Sequence, residues 1–224
     1  MVNYSISEEN YIKAIYHLQG AEGMVTTNAL SAELKTRPAS VTDMLKKLKT
    51  KKLLNYERYK GFRLSADGKR VALGIIRRHR LWEFFLSEKL KFSWDEVHEV
   101  AEELEHVTSK KLIDKLDEYL EFPKFDPHGD PIPDINGKID NTPQVGLDQW
   151  PLNKPAYVSQ VIYSSPELLK LLAHHKIDIG TSLEVKKRFE YDGSIEIKVQ
   201  QRAPVTISET LAKIIFVHHG STHQ

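Results

Sequence analysis

The chain has 224 residues, of which 40% are hydrophobic and 28% are charged, and its formal net charge is +1. This length and composition fit two or three folded modules with packed cores. No apolar run approaches the roughly 20 residues that span a bilayer, and the first ten residues lack the basic and apolar regions of a signal peptide. Cysteine is absent, which excludes disulfides, zinc–thiolate sites and thiol nucleophiles. We therefore expect a cytoplasmic protein.

The charge is distributed unevenly along the chain. Residues 1–75 contain 13 Lys and Arg against 7 Asp and Glu, residues 76–145 contain 10 against 16, and residues 146–224 contain 9 against 8. A basic first segment followed by an acidic one is consistent with a polyanionic partner and a separate cation site. Small domains often differ by a few charges, so this pattern alone does not decide the function.

The first 64 residues have the element order of a winged helix-turn-helix domain. Apolar spacing predicts a helix over 7–19 with Ser7 as its N-cap, a short helix from Thr26 or Thr27 to residue 34, and a third helix over 41–51. Two short extended runs, 53–57 and 62–64, flank a turn that contains Gly61. In such a domain the third helix enters the major groove and the hairpin lies beside the duplex. An ordinary solvated basic helix is the alternative. The candidate DNA-binding residues are Pro38, Ala39, Ser40, Thr42, Asp43, Lys46, Lys47, Arg58 and Lys60.

Three longer helices are predicted next, over 66–90, 93–108 and 110–120, and Ser93 with Glu96 has the spacing of a capping box. Residues 122–155 hold seven of the ten prolines, which predicts a loop or linker. Alternating apolar residues then predict strands at 156–161, 182–189 and 194–199, with a short helix over 166–175 among them. A small β-barrel is the natural closure for such strands.

Histidines and glutamates recur at helical spacing in the middle segment. His98, Glu102, Glu105 and His106 stand at i, i+4, i+7 and i+8 of one predicted helix, so they share an arc of about 100°. His79 and Glu83 form another i, i+4 pair on the preceding helix. Imidazole and carboxylate donors suit manganese, ferrous iron, cobalt or zinc. A single pair of this kind is usually a solvated face, but two facing sets predict a metal site.

The sequence resembles the diphtheria toxin repressor family of iron- and manganese-dependent regulators. The resemblance covers about residues 5–135. It is carried by residues 9–16 (ENYIKAIY), 38–42 (PASVT), 78–83 (RHRLWE), 97–99 (VHE), 101–106 (AEELEH), 127–129 (PHG) and 131–133 (PIP). The last segment resembles the SH3-like or FeoA-like barrel of the family more weakly. The implied fold is mainly α with small β: a winged helix-turn-helix domain, a helical dimerisation and metal-binding domain, and a C-terminal SH3-like (FeoA-like) β-barrel.

The resemblance also implies ligands for two metal sites. Glu102, Glu105 and His106 fall on the primary site, where glutamate at position 102 marks the manganese branch. His79, Glu83 and His98 fall on the ancillary site, which in some manganese regulators also uses the positions of Asp126 and His128; Glu167 is a further candidate from the barrel. We expect Mn²⁺, with Fe²⁺ as the alternative and Zn²⁺ or Co²⁺ as further candidates in vitro.

Two positions depart from the family pattern. The first helix normally supplies a Met or Asp ligand, and this chain has Asn10 there, with Glu9 as a substitute. Some manganese regulators have a second carboxylate on this helix, and this chain has Lys13, a cation that would repel a second metal ion. The closely bridged two-manganese centre is therefore not expected.

We predict a homodimeric, metal-dependent repressor that binds a palindromic DNA operator and controls metal-uptake genes. The expected domains are residues 1–72 (winged helix-turn-helix), 73–140 (dimerisation and metal binding), 141–155 (linker) and 156–224 (barrel). A metal-dependent hydrolase that uses the same His/Glu cluster is one alternative. A winged-helix regulator of another ligand class, with a purely structural His/Glu face, is the other.

Overall fold

The computed structural model describes residues 4–19, 23–57, 60–94, 96–107, 109–139, 144–162 and 165–219. The chain forms two compact units. The first comprises Met1–His79, Glu102–Asp114 and Pro133–Ile139, and the second comprises Arg80–Ala101, Lys115–Ile132 and Asp140–Gln224. No helix within the described ranges is long and apolar enough to cross a membrane.

The first unit contains the winged helix-turn-helix fold. Its elements are α1 (Ile6–Gln19), α2 (Thr27–Glu33), α3 (Pro38–Thr50), β1 (Leu54–Glu57) and β2 (Gly61–Leu64). The two strands are antiparallel, with Leu54 opposite Leu64 and Glu57 opposite Gly61. Side chains from all of these elements form one buried core that includes Ile12, Leu30 and Leu48. The predicted domain type is confirmed.

Two helix starts differ from the sequence prediction. The α1 helix begins at Ile6 rather than after Ser7, because Ser5 and Glu8 form a capping box in which each side chain accepts the backbone N–H of the other residue, at 3.2 and 2.9 Å. The α3 helix begins at Pro38, three residues earlier than predicted. Proline suits this first turn because it has no N–H to leave unsatisfied and its φ is already helical.

Three helices follow the wing: α4 (Ala66–Glu88), α5 (Val97–Leu104) and α6 (Lys110–Tyr119). The prediction of one helix over 93–108 is wrong at both ends. Ser93 and Glu96 do make the predicted capping contact, with the Ser93 N–H donating to Glu96 Oε2 at 3.0 Å, but the helix starts after it. At the other end, Val107 N donates to Leu104 O at 3.0 Å, a tight i→i+3 bond that closes α5. Glu105 and His106 therefore lie in the turn after the helix.

The C-terminal part of the second unit is a six-stranded antiparallel sheet in the order β3-β8-β4-β5-β6-β7. Its elements are β3 (Val145–Gly146), a 3₁₀ helix η1 (Leu147–Gln149), β4 (Pro155–Val161), α7 (Pro166–His175), β5 (Ser182–Arg188), β6 (Ile195–Val199), β7 (Val205–Ile207), α8 (Glu209–Ile214) and β8 (Ile215–His218). The sequence prediction missed β3, η1, β7, α8 and β8. Leu147 and Trp150, which the sequence analysis assigns to a linker, are buried in the core of this sheet.

Candidate metal centre

Three buried side chains of the second unit converge in one place. Glu83 near the end of α4, together with Asp126 and His128 in the loop after α6, each offer a ligand atom, and these atoms lie within 4.8 Å of one another. Glu83 Oε1 is 3.8 Å from His128 Nδ1 and 3.1 Å from Nδ1 of His98 on α5. We call Glu83, His98, Asp126 and His128 the inner cluster.

The loop that carries Asp126 and His128 is held in a fixed shape. Asp126 Oδ1 accepts the backbone N–H groups of His128 and Asp130 at 2.8 and 2.9 Å. The loop also lies against β4, where Val161 N donates to His128 O at 2.9 Å. A side chain at Gly129 would place its Cβ 2.0 Å from Ser159 O, and the φ of Gly129 is +83°. Glycine is therefore required at this position, which explains the third residue of the Pro-His-Gly motif.

The strand β4 is adapted to this loop. Its pairing with β8 shifts register between Val158 and Gln160, so Ser159 is the extra residue of a bulge, a device that redirects a strand locally. Next to the bulge, Gln160 Nε2 donates to Asp130 Oδ1. Trp94 stacks on the His128 ring, with centroids 5.5 Å apart. The inner cluster is thus supported by the C-terminal sheet as well as by the helices.

The electrostatics of the inner cluster fit a cation. Burial raises the pKa of Asp126 well above its ordinary value, and the nearby charges of Glu83 and Asp130 add to the effect. Arg80 offsets this only in part, with its Nε 3.5 Å from Asp126 Oδ2. A divalent ion would relieve the repulsion between these buried carboxylates. Burial also lowers the pKa of His128, which keeps the imidazole neutral and able to coordinate.

The second group of predicted ligands lies in the first unit and is arranged differently. Lys13 of α1 places its Nζ 2.7 and 2.8 Å from the two carboxylate oxygens of Glu105 and 3.2 Å from Glu102 Oε1. Glu105 Oε2 is also 2.7 Å from His79 Nδ1. Burial disfavours the charge of Glu105, but His79 and Lys13 outweigh it and lower the pKa of this carboxyl. We call Glu102, Glu105 and His106 with Lys13 the lysine cluster.

The α1 residue that contacts His106 is Glu9, the neighbour of the predicted ligand Asn10. Glu9 Oε2 lies 2.7 Å from His106 Nδ1, and Glu9 Oε1 accepts from Arg78 Nη2 at 2.7 Å. The other ring nitrogen of His106, Nε2, is 3.7 Å from Glu105 Oε1. A carboxylate on one imidazole nitrogen fixes the ring and leaves the other nitrogen for coordination. Asn10 is half-buried; in the described part of the chain, the α1 contacts to this cluster come from Glu9 and Lys13.

The structure divides the predicted ligands into these two groups. His79, Glu83 and His98, the set predicted for the ancillary site, each offer a ligand atom within 4.8 Å of the others, whereas His106 and Glu105 contact α1. His79 lies one helical turn before Glu83 on α4 and pairs with Glu105. Glu167 is exposed in the first turn of α7 and belongs to neither group among the described residues. Sequence reasoning missed the supporting roles of Arg78, Arg80 and Trp94. The RHRLWE motif contains Arg78 and Arg80 and could have pointed to them.

The candidate DNA-binding residues are exposed on α3 and the wing wherever they are described. Pro38, Ala39 and Ser40 open α3 and are exposed, as are Thr42, Asp43, Lys46, Lys47 and Lys60. Lys46 Nζ lies 3.0 Å from Asp43 Oδ1 in a fully solvated pair, which contributes little to stability and leaves the lysine available. Arg58 lies outside the described residues.

Family models match the chain in three consecutive parts. Residues 4–62 match the iron-dependent repressor N-terminal DNA-binding domain, residues 65–134 match the iron-dependent repressor metal-binding and dimerisation domain, and residues 145–219 match the FeoA domain. Over 120 residues the chain is 34% identical to the HTH-type transcriptional regulator MntR of Oceanobacillus iheyensis, covering 54% of this chain and 81% of that protein. The chain belongs to the diphtheria toxin repressor family, in its manganese branch.

Two further relatives support this membership. The diphtheria toxin repressor of Corynebacterium jeikeium is 30% identical over 136 residues, which is 60% of this chain and 56% of that protein. A solved structure of a manganese-dependent transcriptional repressor in complex with manganese has a TM-score of 0.85 at 31% identity, covering 94% of this chain and 98% of that one. This protein of the diphtheria toxin repressor family is thus a DNA-binding transcription repressor and not an enzyme, and the hydrolase alternative is set aside.

Proposed function

We propose that this repressor responds to Mn²⁺, with Fe²⁺ as the alternative ion, and that the inner cluster is where the ion acts. The observation that carries the proposal is the convergence of Glu83, Asp126 and His128, all buried, within 4.8 Å. Two carboxylates and one neutral imidazole form a donor set that hard and borderline divalent ions prefer, and no thiolate competes for softer metals. Relatives named for manganese regulation support the same ion.

Each part of the inner cluster has a defined task when an ion is bound. Glu83, Asp126 and His128 supply ligands, with His98 held beside Glu83. The Trp94 ring stacks on the His128 ring, with centroids 5.5 Å apart, which restricts the orientation of this imidazole. The bound ion supplies positive charge to a buried group of carboxylates, and the polypeptide supplies the geometry.

We further propose how ion binding reaches the DNA-binding domain. Glu83 and His79 lie on one continuous helix, α4, and His79 pairs with Glu105, which in turn holds Lys13 of α1. An ion that fixes Glu83 therefore favours one position of this helix and, through the His79–Glu105–Lys13 series, one placement of α1. This is a shift in population towards the conformation that fits DNA.

The DNA target is proposed to be a palindromic operator bound by a homodimer and controlling metal-uptake genes. The residues proposed to contact DNA are Pro38, Ala39, Ser40, Thr42, Asp43, Lys46, Lys47, Arg58 and Lys60. A two-fold symmetric dimer places two recognition helices in successive major grooves, which requires two half-sites related by symmetry.

The test selects DNA from a random duplex library with the Mn²⁺-loaded protein and then measures affinity for the selected duplex by fluorescence anisotropy. We expect a symmetric sequence, and affinity that falls at least tenfold when EDTA replaces Mn²⁺. Asp126→Asn should bind the selected duplex with the same affinity in Mn²⁺ and in EDTA. Glu167→Gln serves as the matched control, because this exposed residue lies outside both clusters, and it should behave as the wild type does. Equal wild-type affinity in Mn²⁺ and EDTA would refute the proposal.

A further inference from the structure

The lysine cluster already contains a cation. The ammonium of Lys13 has three N–H donors, and three carboxylate oxygens lie within hydrogen-bond distance of it: two from Glu105 at 2.7 and 2.8 Å and one from Glu102 at 3.2 Å. The Lys13 side chain is 16% exposed and that of Glu105 is 1% exposed. The ammonium therefore stands where an ion bound by these two glutamates would have to stand.

The two clusters differ in the balance between their carboxylates and the permanent cations near them. The described residues of the lysine cluster and its contacts include three carboxylates, Glu9, Glu102 and Glu105, and two permanent cations, Lys13 and Arg78. Around the inner cluster, the ion pairs of the described residues join Asp126 and Asp130 to the permanent cation Arg80, whose nitrogens lie 3.5 Å from each, and Glu83 is a third carboxylate there. The inner cluster therefore has an excess of negative charge that a divalent ion can neutralise. In the lysine cluster the positive and negative charges are closer to equal.

We propose that Lys13 acts as a resident internal cation that takes the place of a divalent ion at Glu102 and Glu105, so that each subunit binds a single Mn²⁺, at the inner cluster. The inference rests on the proposed function for the identity of the ion. A second Mn²⁺ would have to displace an ammonium that is tethered to α1 and held by three hydrogen bonds, or bind next to it against cation–cation repulsion. The α1 helix is then held to the turn after α5 in the absence of metal.

The test is isothermal titration of the metal-free, full-length protein with MnCl₂. The wild type should bind one Mn²⁺ per subunit. Lys13→Met removes the ammonium but keeps an unbranched side chain, and it should bind two. Lys51→Met is the matched control, because Lys51 makes an ion pair of 2.6 Å with Glu8, which lies on α1 as Lys13 does. This variant should still bind one Mn²⁺ per subunit. Two ions in the wild type, or one ion in Lys13→Met, would overturn the proposal.

A second variant keeps the proposal testable if Lys13→Met fails to fold. Asp126→Asn disables the inner cluster while Lys13 stays in place, so this variant should bind no Mn²⁺ in the same titration. One ion retained by Asp126→Asn would show that the lysine cluster accepts metal and would overturn the inference. A wild type that binds no Mn²⁺ at all would refute the proposed function, whereas two ions would refute only the role of Lys13.

Thermal unfolding gives a readout independent of stoichiometry. Without metal, Lys13→Met leaves Glu102 and Glu105 without their ammonium and should unfold at a lower temperature than the wild type, and saturating Mn²⁺ should recover most of the difference. Lys51→Met should show no such selective recovery. A metal-free Lys13→Met protein as stable as the wild type would contradict the proposal.

Discussion

Single positions in this protein differ sharply in how much change they allow, and two glycines illustrate this. Gly61 begins β2 with φ at +119°, and a Cβ there would lie 2.2 Å from Val25 O. The backbone of Phe62 pairs with that of Val25 on the same side, at 2.7 and 3.0 Å. Gly74 lies within α4, where an added Cβ would meet nothing within 4 Å. The close approach of backbones, rather than turn formation alone, makes Gly61 necessary.

We predict that Gly61→Ala lowers the free energy of unfolding by about 2 kcal/mol or more, because it combines a strained φ with a backbone clash. Gly74→Ala is the matched substitution and should raise stability by about 0.5–1 kcal/mol, since alanine is the better helix former. Urea denaturation followed by circular dichroism measures both changes. Equal effects of the two substitutions would show that the wing tolerates a side chain at position 61.

At the scale of elements, α3 combines a buried stripe with an exposed basic face. Val41, Leu45 and Leu48 are buried, which fixes the rotation of the helix about its axis. The side chains at 42, 43, 46 and 47 are then necessarily exposed. Lysine suits phosphates better than base edges, so these residues supply affinity more than sequence specificity.

We predict that Lys47→Gln weakens binding to all duplexes by a similar factor and reduces the slope of log affinity against log salt by about 0.9, the loss of one phosphate contact. Lys170→Gln is the matched control, because Lys170 is also exposed but lies on α7 of the other unit. Anisotropy titrations of the Mn²⁺-loaded protein at several KCl concentrations test this. An unchanged slope for Lys47→Gln would show that this lysine makes no phosphate contact.

At the scale of the whole molecule, buried acidic groups link metal binding to pH. The pKa of Asp126 is raised above its ordinary 3.8 by burial and by Glu83 and Asp130. The folded, metal-free protein therefore holds a proton on Asp126 to higher pH than the unfolded chain does, and its stability falls as pH rises through that raised pKa. The lowered pKa of Glu105 acts oppositely: its contribution is present above the ordinary value of 4.5 and is lost as pH falls through the folded value.

We predict that the affinity for Mn²⁺ increases as pH rises towards the raised pKa of Asp126, because binding below that pKa must release the proton from this carboxyl. Calorimetry in buffers of different ionisation enthalpy should show proton release that declines as pH rises. Glu167→Gln, which leaves the inner cluster intact, should retain this pH dependence. An affinity that is constant or falls with rising pH would contradict the role given to Asp126.

Local spacing was sufficient to predict the winged helix-turn-helix domain, the middle helices and several C-terminal strands. It failed where distant segments decide the outcome. The prediction placed His98, Glu102, Glu105 and His106 on one face, since a regular helix would put them there. In the structure the helix ends at Leu104, and Glu9 of α1 binds His106.

What the sequence by itself determined is therefore most of the helices, several of the strands and the family, because periodicity, turn residues and motifs are properties of short segments. What only the tertiary structure decided is which donors meet. Asp126 and His128 reach Glu83 because β4 holds their loop, and Lys13 reaches Glu105 because α1 packs beside the turn after α5. Such encounters depend on chain segments about 40 to 90 residues apart, and no local pattern encodes a distance between two segments that only packing brings together.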